Sequence, residues 1–192
     1  MKTSTIALTL IFSGLSQLTF AQIDKPIKVV GNKTIKAAMV DFDAFEKLTA
    51  EVKEHRKTRL VTLDSFLSMS KNENTVILDT RSDILYASKH VKGAIHLNFS
   101  DFTQDNLARL IPDVNTTILI YCNNNFDEDE DNFASKIYIP KPMDAKKPIT
   151  LALNIPTYIN LYGYGYKNVF ELSELISVFN NRIGFEGTSV GK

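Results

Sequence analysis

Two short runs of apolar and β-branched residues constrain the fold of this chain more than any other feature. The runs are NTVILDT at residues 74–80 and TTILIYC at residues 116–122, and neither alternates between apolar and polar residues. Strands of this kind are typical of parallel sheets that are covered by helices on both faces. The segments between them have helical patterns, so strands and helices alternate along the chain. The sequence therefore predicts an α/β layered fold.

The elements around these two strands follow the same alternation. We expect a helix at residues 63–69 capped by Thr62 or Asp64, and a helix that Ser100 caps and that ends at Leu110. Pro156 either kinks one long helix or lies in the first turn of a shorter helix capped by Asn154. The other predicted elements are short strands at residues 60–62, 94–98 and 168–172, a short helix before Gly93 and a closing helix at residues 173–183.

The N-terminus is typical of a secretory signal peptide. Lys2 precedes an apolar run, and the segment closes with small residues up to Ala21, so residues 1–21 are expected to be removed by cleavage after Ala21. The run is shorter than the roughly 20 apolar residues of a spanning helix. The sequence thus predicts a periplasmic or secreted protein with no membrane span after cleavage.

Residues 22–59 are expected to form an N-terminal extension. Its region from Val40 to Arg59 has apolar residues at helical spacing, namely Phe42, Phe45, Leu48 and Val52. This pattern predicts an amphipathic helix that packs on the main domain.

The charge balance and the single cysteine limit the classes of function. Lys plus Arg and Asp plus Glu both total 22, which argues against nucleic-acid binding. Cys122 is the only cysteine, so it cannot form an intramolecular disulfide. In an oxidising compartment such a thiol is shielded by burial, reactive, or linked to another chain.

Cys122 follows a strand, at the sheet edge where ligands of parallel sheets gather. Helix N-termini and backbone N–H groups at that edge favour a thiolate. Asp79 follows the preceding strong strand and is expected at the same edge.

Several ordered motifs resemble the rhodanese family. They are Asp79-Thr80-Arg81, Tyr86, the segment HVKGAI from His90 to Ile95, the strand and cysteine ILIYC, and GYKNVFEL at residues 165–172. The resemblance covers residues 60–182, with residues 123–148 as an inserted loop and residues 183–192 as a C-terminal tail. It implies a three-layer α/β fold with a mostly parallel five-stranded sheet, to which the N-terminal helical extension is added.

The resemblance also implies site residues. Cys122 would be the nucleophile that carries a persulfide, and the loop of Asn123, Asn124, Asn125 and Phe126 would hold it. Asp79, Arg81 and His90 would support the site. No cofactor and no metal are expected, and the partners would be a small sulfur-containing substrate and a thiol acceptor.

The cysteine loop departs from the family pattern. It has no glycine and no cation, and the five acids Asp127–Asp131 follow it. Nearby acids disfavour a thiolate or persulfide. Lys146 and Lys147 precede the next helix, and we expect that they could fold back to supply the missing positive charge.

Other readings of the loop are weaker. Asp127, Asp129 and Asp131 imitate the start of a calcium loop, but Asn132 stands where the turn glycine is needed. A cysteine phosphatase would need an arginine where this chain has Glu128. Two hypotheses remain: an exported sulfur-transfer protein that acts through Cys122, and an inactive rhodanese-like binding module whose acidic insertion recognises a basic protein partner or a cation.

Overall fold

The computed structural model describes residues 38–141 and 148–191. The chain divides into two compact units, residues 1–41 and 42–192, and the second unit contains all the elements below. The predicted signal peptide, most of the extension, and Lys146 and Lys147 lie outside the described residues. In the described part of the chain, no helix is long and apolar enough to cross a membrane.

Eleven strands and six helices are formed by the described residues. The strands are β1 Leu60–Val61, β2 Thr75–Asp79, β3 His90–Val91, β4 Ile95–His96, β5 Thr117–Tyr121, β6 Phe126–Asp127, β7 Ile137–Tyr138, β8 Ile149–Thr150, β9 Val169–Leu172, β10 Ile176–Ser177 and β11 Phe185–Glu186. The helices are α1 Phe42–Arg56, α2 Leu63–Met69, α3 Asp83–Ser88, α4 Gln104–Leu110, α5 Glu130–Phe133 and α6 Asn154–Gly163.

The main sheet has five parallel strands in the order β1-β9-β5-β2-β4. Strand β5 is central, and its Ile118 and Ile120 face one side while Leu119 and Tyr121 face the other. All four of these side chains are buried, which explains why the strand sequence is continuously apolar from Ile118 to Tyr121. The predicted α/β fold with a five-stranded parallel sheet is confirmed.

Helices cover both faces of this sheet and make three layers. One core cluster joins the sheet to Val52 of α1, Leu107 of α4 and Leu161 of α6. The second cluster joins the other face to Phe66 of α2 and Phe133 of α5. At the carboxyl edge of the sheet, β2 ends at Asp79 and β5 ends just before Cys122.

Two predicted helix boundaries shift, and one predicted apolar helix face is only partly buried. Ser100 lies in a 3-10 turn, and α4 begins only at Gln104, because the Thr103 side chain accepts the N–H of Asn106. Pro156 lies in the first turn of α6, as one alternative predicted, but Asn154 is the first helical residue rather than the cap. In α1, Phe42 and Phe45 are exposed, so only the end of the predicted apolar face is buried, at Val52.

The predicted closing helix at residues 173–183 is wrong. Ile176 and Ser177 form β10, which pairs in parallel with Phe126 and Asp127 of β6. The chain then turns at Ser177 and Asn180, whose carbonyl and side-chain oxygens accept nearby backbone N–H groups. Local Ser and Asn bonds of this kind compete with helix formation, and the pairing with β6 determines the outcome.

The inserted segment, expected as a loop, has structure of its own. After Cys122 it forms a 3-10 turn at Asn123–Asn125, then β6, α5 and β7. Phe126 and Phe133 are both 1% exposed members of the second core cluster, and their rings pack at tilted or edge-to-face angles against each other and against Phe185. The first half of the insertion is therefore part of the domain core.

Candidate active site

Cys122 lies directly after β5 and borders a cavity at the carboxyl edge of the sheet. The cavity has a volume of about 220 Å³, and its lining includes Thr80, Arg81, Asn123, Lys136 and Leu153. The thiol-bearing residue itself is only 1% exposed. A small ligand in this cavity would thus lie against Cys122 while most of the residue remains shielded from water.

Three backbone N–H groups act on the thiol of Cys122 and favour its anion. They belong to Asn124 in the 3-10 turn and to Leu153 and Asn154 at the start of α6. Burial of the thiol raises its pKa above the ordinary value, the three N–H groups lower it, and the carboxylate of Glu171 raises it, with a net upward shift. The resting form at neutral pH is the protonated thiol, next to donors that favour its anion.

The insertion does not separate Cys122 from the helix that follows it. In this chain about 30 residues lie between the cysteine and α6, yet the N-terminus of α6 returns to the thiol. Asn124 helps to close the gap, because its side chain accepts the N–H of Lys136 at 3.0 Å and contacts Thr150 at 3.3 Å. Helix α6 has ten residues, so its positive end contributes to the field at the thiol.

Asn125 fixes the backbone of the cysteine loop. Its side-chain oxygen accepts the N–H of Cys122 at 2.9 Å, and its amide donates to the carbonyls of Leu172 and Glu174 at 2.8 and 3.2 Å. The side chain is therefore committed to the scaffold. Phe126 packs in the second core cluster and is not among the residues that line the cavity.

Asp79 and Arg81 form a buried ion pair beside the cavity. Their side chains are 0% and 3% exposed, and the Arg81 Nη2 to Asp79 Oδ2 distance is 2.7 Å. Arg81 also donates to the carbonyls of Asn132 in α5 and Lys89 after α3, at 2.9 and 2.6 Å. The guanidinium thus ties the insertion to the sheet, and its charge is balanced by Asp79.

His90 packs against Tyr86 and is not among the residues that line the cavity. Its ring stacks on Tyr86 at a centroid distance of 3.9 Å, and Nδ1 contacts the carbonyl of Tyr86 at 2.7 Å. His96 stacks on the other face of the same tyrosine at 4.3 Å. This arrangement packs the β3–β4 region around Tyr86.

Lys136 is a second cation that borders the cavity beside Arg81, and the sequence analysis did not select it. It is exposed and lies in the second half of the insertion. Lys136 is the only basic residue between Cys122 and Pro140, which was an available signal. The suggested Lys146 and Lys147 lie outside the described residues, so their role stays a prediction.

The acidic run is divided between structural and exposed positions. Asp129 accepts from Lys89 Nζ at 2.8 Å, and the Asn132 amide also donates to it. Glu128, Glu130 and Asp131 are exposed. In the described ranges, no group of three or more His, Cys, Asp or Glu side chains could hold a metal ion.

Comparison with known proteins identifies the domain. A family model for the rhodanese-like domain matches residues 62–174. Among solved structures, the BH2092 protein from Bacillus halodurans is 18% identical, with a TM-score of 0.46, over 77% of this chain and 88% of that one. A rhodanese with anions from E. coli is 18% identical, with a TM-score of 0.36, over 59% of this chain and 99% of that one. No curated protein matches the chain.

The matched segment covers more than half of the chain and contains Asp79, Arg81 and Cys122, but it begins after α1. The chain belongs to the rhodanese-like domain family.

Proposed function

We propose that this protein transfers sulfur through a persulfide on Cys122. The observation that carries the proposal is the convergence of three backbone N–H groups on a thiol that borders a cavity of about 220 Å³. Such donors stabilise negative charge on sulfur in both the thiolate and the persulfide. Membership of the rhodanese-like family supports sulfur transfer as the general class of chemistry.

With thiosulfate as the donor, the reaction has two displacements. The Cys122 thiolate attacks the outer sulfur, the S–S bond of thiosulfate breaks, and the electron pair leaves with sulfite. The product is the persulfide anion of Cys122. A thiolate acceptor then attacks the outer sulfur of the persulfide, and the Cys122 thiolate leaves as the new acceptor persulfide forms. Each step moves one sulfur atom without any external oxidant or reductant.

The residues around the cavity have separate roles in this proposal. The N–H groups of Asn124, Leu153 and Asn154 hold the anionic sulfur, and Asn125 and the Asp79–Arg81 pair fix the loop. Lys136 attracts an anionic donor to the cavity. Burial opposes the chemistry because it keeps Cys122 protonated, so the first displacement should accelerate as the pH rises.

Turnover tests the proposal. The full chain is incubated with thiosulfate and cyanide, and the thiocyanate that forms is measured, with Cys122→Ser as the matched variant. We expect release by the wild-type protein and none by the variant. Equal rates for both proteins would contradict transfer through Cys122, and so would the absence of turnover with thiosulfate and with small-thiol persulfides.

A second candidate is an inactive binding module. The observations that favour it are the 1% exposure of Cys122 and the grouping of exposed Glu128, Glu130 and Asp131 on the insertion. Such a group would attract a basic partner. Two results together would favour this candidate over sulfur transfer. The wild-type protein would bind a polylysine surface and a Glu128→Gln/Glu130→Gln/Asp131→Asn variant would not, and neither protein would react with thiosulfate.

Export is part of the same proposal. The sequence pattern of residues 1–21 supports cleavage after Ala21 and placement in the periplasm or outside the cell. N-terminal sequencing of the protein recovered from its native cells tests this. A mature N-terminus at Gln22 is expected, and retention of Met1 and Lys2 would contradict it.

A further inference from the structure

An ion pair between the N-terminal helix and the main sheet lies near Cys122. Arg56, the last residue of α1, donates from Nε and Nη2 to the two carboxylate oxygens of Glu171 on β9, at 2.5 and 2.6 Å. The Glu171 side chain is 7% exposed and that of Arg56 is 32% exposed. This is a bidentate, largely buried arrangement, in which the guanidinium balances the carboxylate.

Glu171 and Cys122 are on the same face of the sheet. Glu171 is the register partner of Ile120 on the adjacent parallel strand. Cys122 lies two residues beyond Ile120 with extended backbone, φ −146° and ψ −172°, so its side chain points to the same side as that of Ile120. From strand spacing and rise, the two Cα atoms are separated by about 8 Å.

Asn154 connects the pair to the thiol. Its side-chain amide donates to Glu171 Oε1 at 3.3 Å and to Asn125 Oδ1 at 3.1 Å, and its backbone N–H lowers the pKa of the Cys122 thiol. Asn125 in turn accepts the backbone N–H of Cys122. A change in the charge or position of Glu171 therefore reaches Cys122 through the electric field and through Asn154.

We propose that Arg56 is a positioning residue of the Cys122 site: by pairing with Glu171 it offsets part of a buried negative charge that faces the anionic sulfur. Helix α1 lies before the segment that matches the family model, so the extension completes a site whose other parts belong to the domain. The consequence for sulfur transfer rests on the proposed function. The acidity of Cys122 can be measured without it.

Other charges near the thiol do not replace Arg56. Arg81 lines the cavity, but Nε and Nη2 bind Asp79, and Nη1 and Nη2 each donate to a main-chain carbonyl. Lys136 borders the same cavity and is exposed, so water screens its charge. Arg59 contacts the ring of Phe170 at 4.6 Å, and no bond from its side chain to Glu171 accompanies this contact among the described residues.

The pH dependence of alkylation in the full chain tests the proposal, because Cys122 is the only thiol. In Arg56→Met the unpaired charge of Glu171 should raise the pKa of Cys122 by about one unit, which means about tenfold slower alkylation below that pKa. In Arg56→Met/Glu171→Gln the pKa should return to the wild-type value or below it. Lys57→Met removes a neighbouring exposed cation that pairs with Glu54, and it should leave the pKa unchanged.

An unchanged pKa of Cys122 in Arg56→Met would overturn the proposal. An equal rise of that pKa in the single and double variants would also overturn it, because Arg56 would then act through packing alone. If Arg56→Met does not fold, Glu171→Gln retains the arginine and should lower the pKa of Cys122. No change in that variant would also overturn the proposal. Failure of the proposed sulfur transfer is recognised separately: the variants would show these changes in the pKa of Cys122, but the wild-type protein would take up no sulfur.

Discussion

Replacement of Arg81 by methionine is expected to destabilise the domain severely. Asp79 is 0% exposed, and the change removes the positive charge that forms an ion pair with its carboxylate. The change also removes the donors that bind the carbonyls of Asn132 and Lys89. Methionine has a similar length and fills much of the same space, so the effect reports on charge and hydrogen bonding more than on volume.

The magnitude follows from the burial of both partners. Removing one member of a buried ion pair costs about 3–5 kcal/mol in the free energy of unfolding. For a domain of this size, that loss lowers the melting temperature by roughly 6–20 °C. The matched control is Arg182→Met, because Arg182 pairs with Asp64 on the surface, where the side chains are 51% and 80% exposed. Exposed pairs contribute about 0–1 kcal/mol.

Urea denaturation followed by far-UV circular dichroism measures both variants. A further variant, Asp79→Asn/Arg81→Met, removes both charges and should be more stable than Arg81→Met alone. The reasoning would be refuted if Arg81→Met lost no more stability than Arg182→Met. It would also be refuted if the double variant were less stable than the single one, because an isolated Asp79 charge would then not be the source of the loss.

Three further predictions concern the site and the insertion. Because burial raises the pKa of Cys122, its alkylation rate should still rise about tenfold per pH unit above the ordinary cysteine pKa of about 8.5. A rate that reaches a plateau below that pH would contradict the raised pKa. Lys136→Gln should raise the KM for thiosulfate roughly two- to fivefold with little change in kcat, whereas Lys71→Gln, at an exposed position, should change neither constant. Equal KM values for the two variants would argue against attraction of thiosulfate by Lys136. Glu128 has a φ of 66°, so Glu128→Gly should be more stable than Glu128→Ala by roughly 1 kcal/mol in urea denaturation, and the opposite order would show that this backbone conformation is not maintained.

The central strands were predictable because a strand that is buried on both faces of a sheet has a continuous run of apolar residues. In β2 and β5, buried side chains lie on both sides of the sheet, and only continuous apolar sequence satisfies that requirement. The positions of Asp79 and Cys122 at one edge of the sheet then follow from the parallel arrangement, since Asp79 and Tyr121 are register partners.

The segment at residues 173–183 was not predictable from its own pattern. Ile176 and Ile183 are buried at a spacing that fits one helix face, whereas Val178 is buried two residues after Ile176, a spacing that fits a strand. Their actual conformation depends on pairing with β6, which lies about 50 residues earlier in the chain. Tertiary contacts of this kind override local preference.

The ion pair and hydrogen bond of the arginines at the site also depend on tertiary contacts and were not predictable from the sequence. Arg56 and Glu171 are separated by 115 residues, and Arg81 and Asn132 by 51. Neither pair has a spacing that marks it in the sequence. The acid run after Cys122 suggested a solvated loop, but Asp129 binds Lys89 and Phe133 enters the core. The structured insertion brings Lys136 to the cavity instead.

The most direct test of the central claim is intact-mass analysis after incubation with thiosulfate, without denaturant and without added thiols. The wild-type chain is expected to gain the mass of one sulfur atom, to lose it on addition of a thiol acceptor, and to gain none when Cys122 is replaced by serine. If the wild-type mass stays unchanged across the pH range in which Cys122 is alkylated, or if the serine variant gains the same mass, Cys122 is not the sulfur carrier.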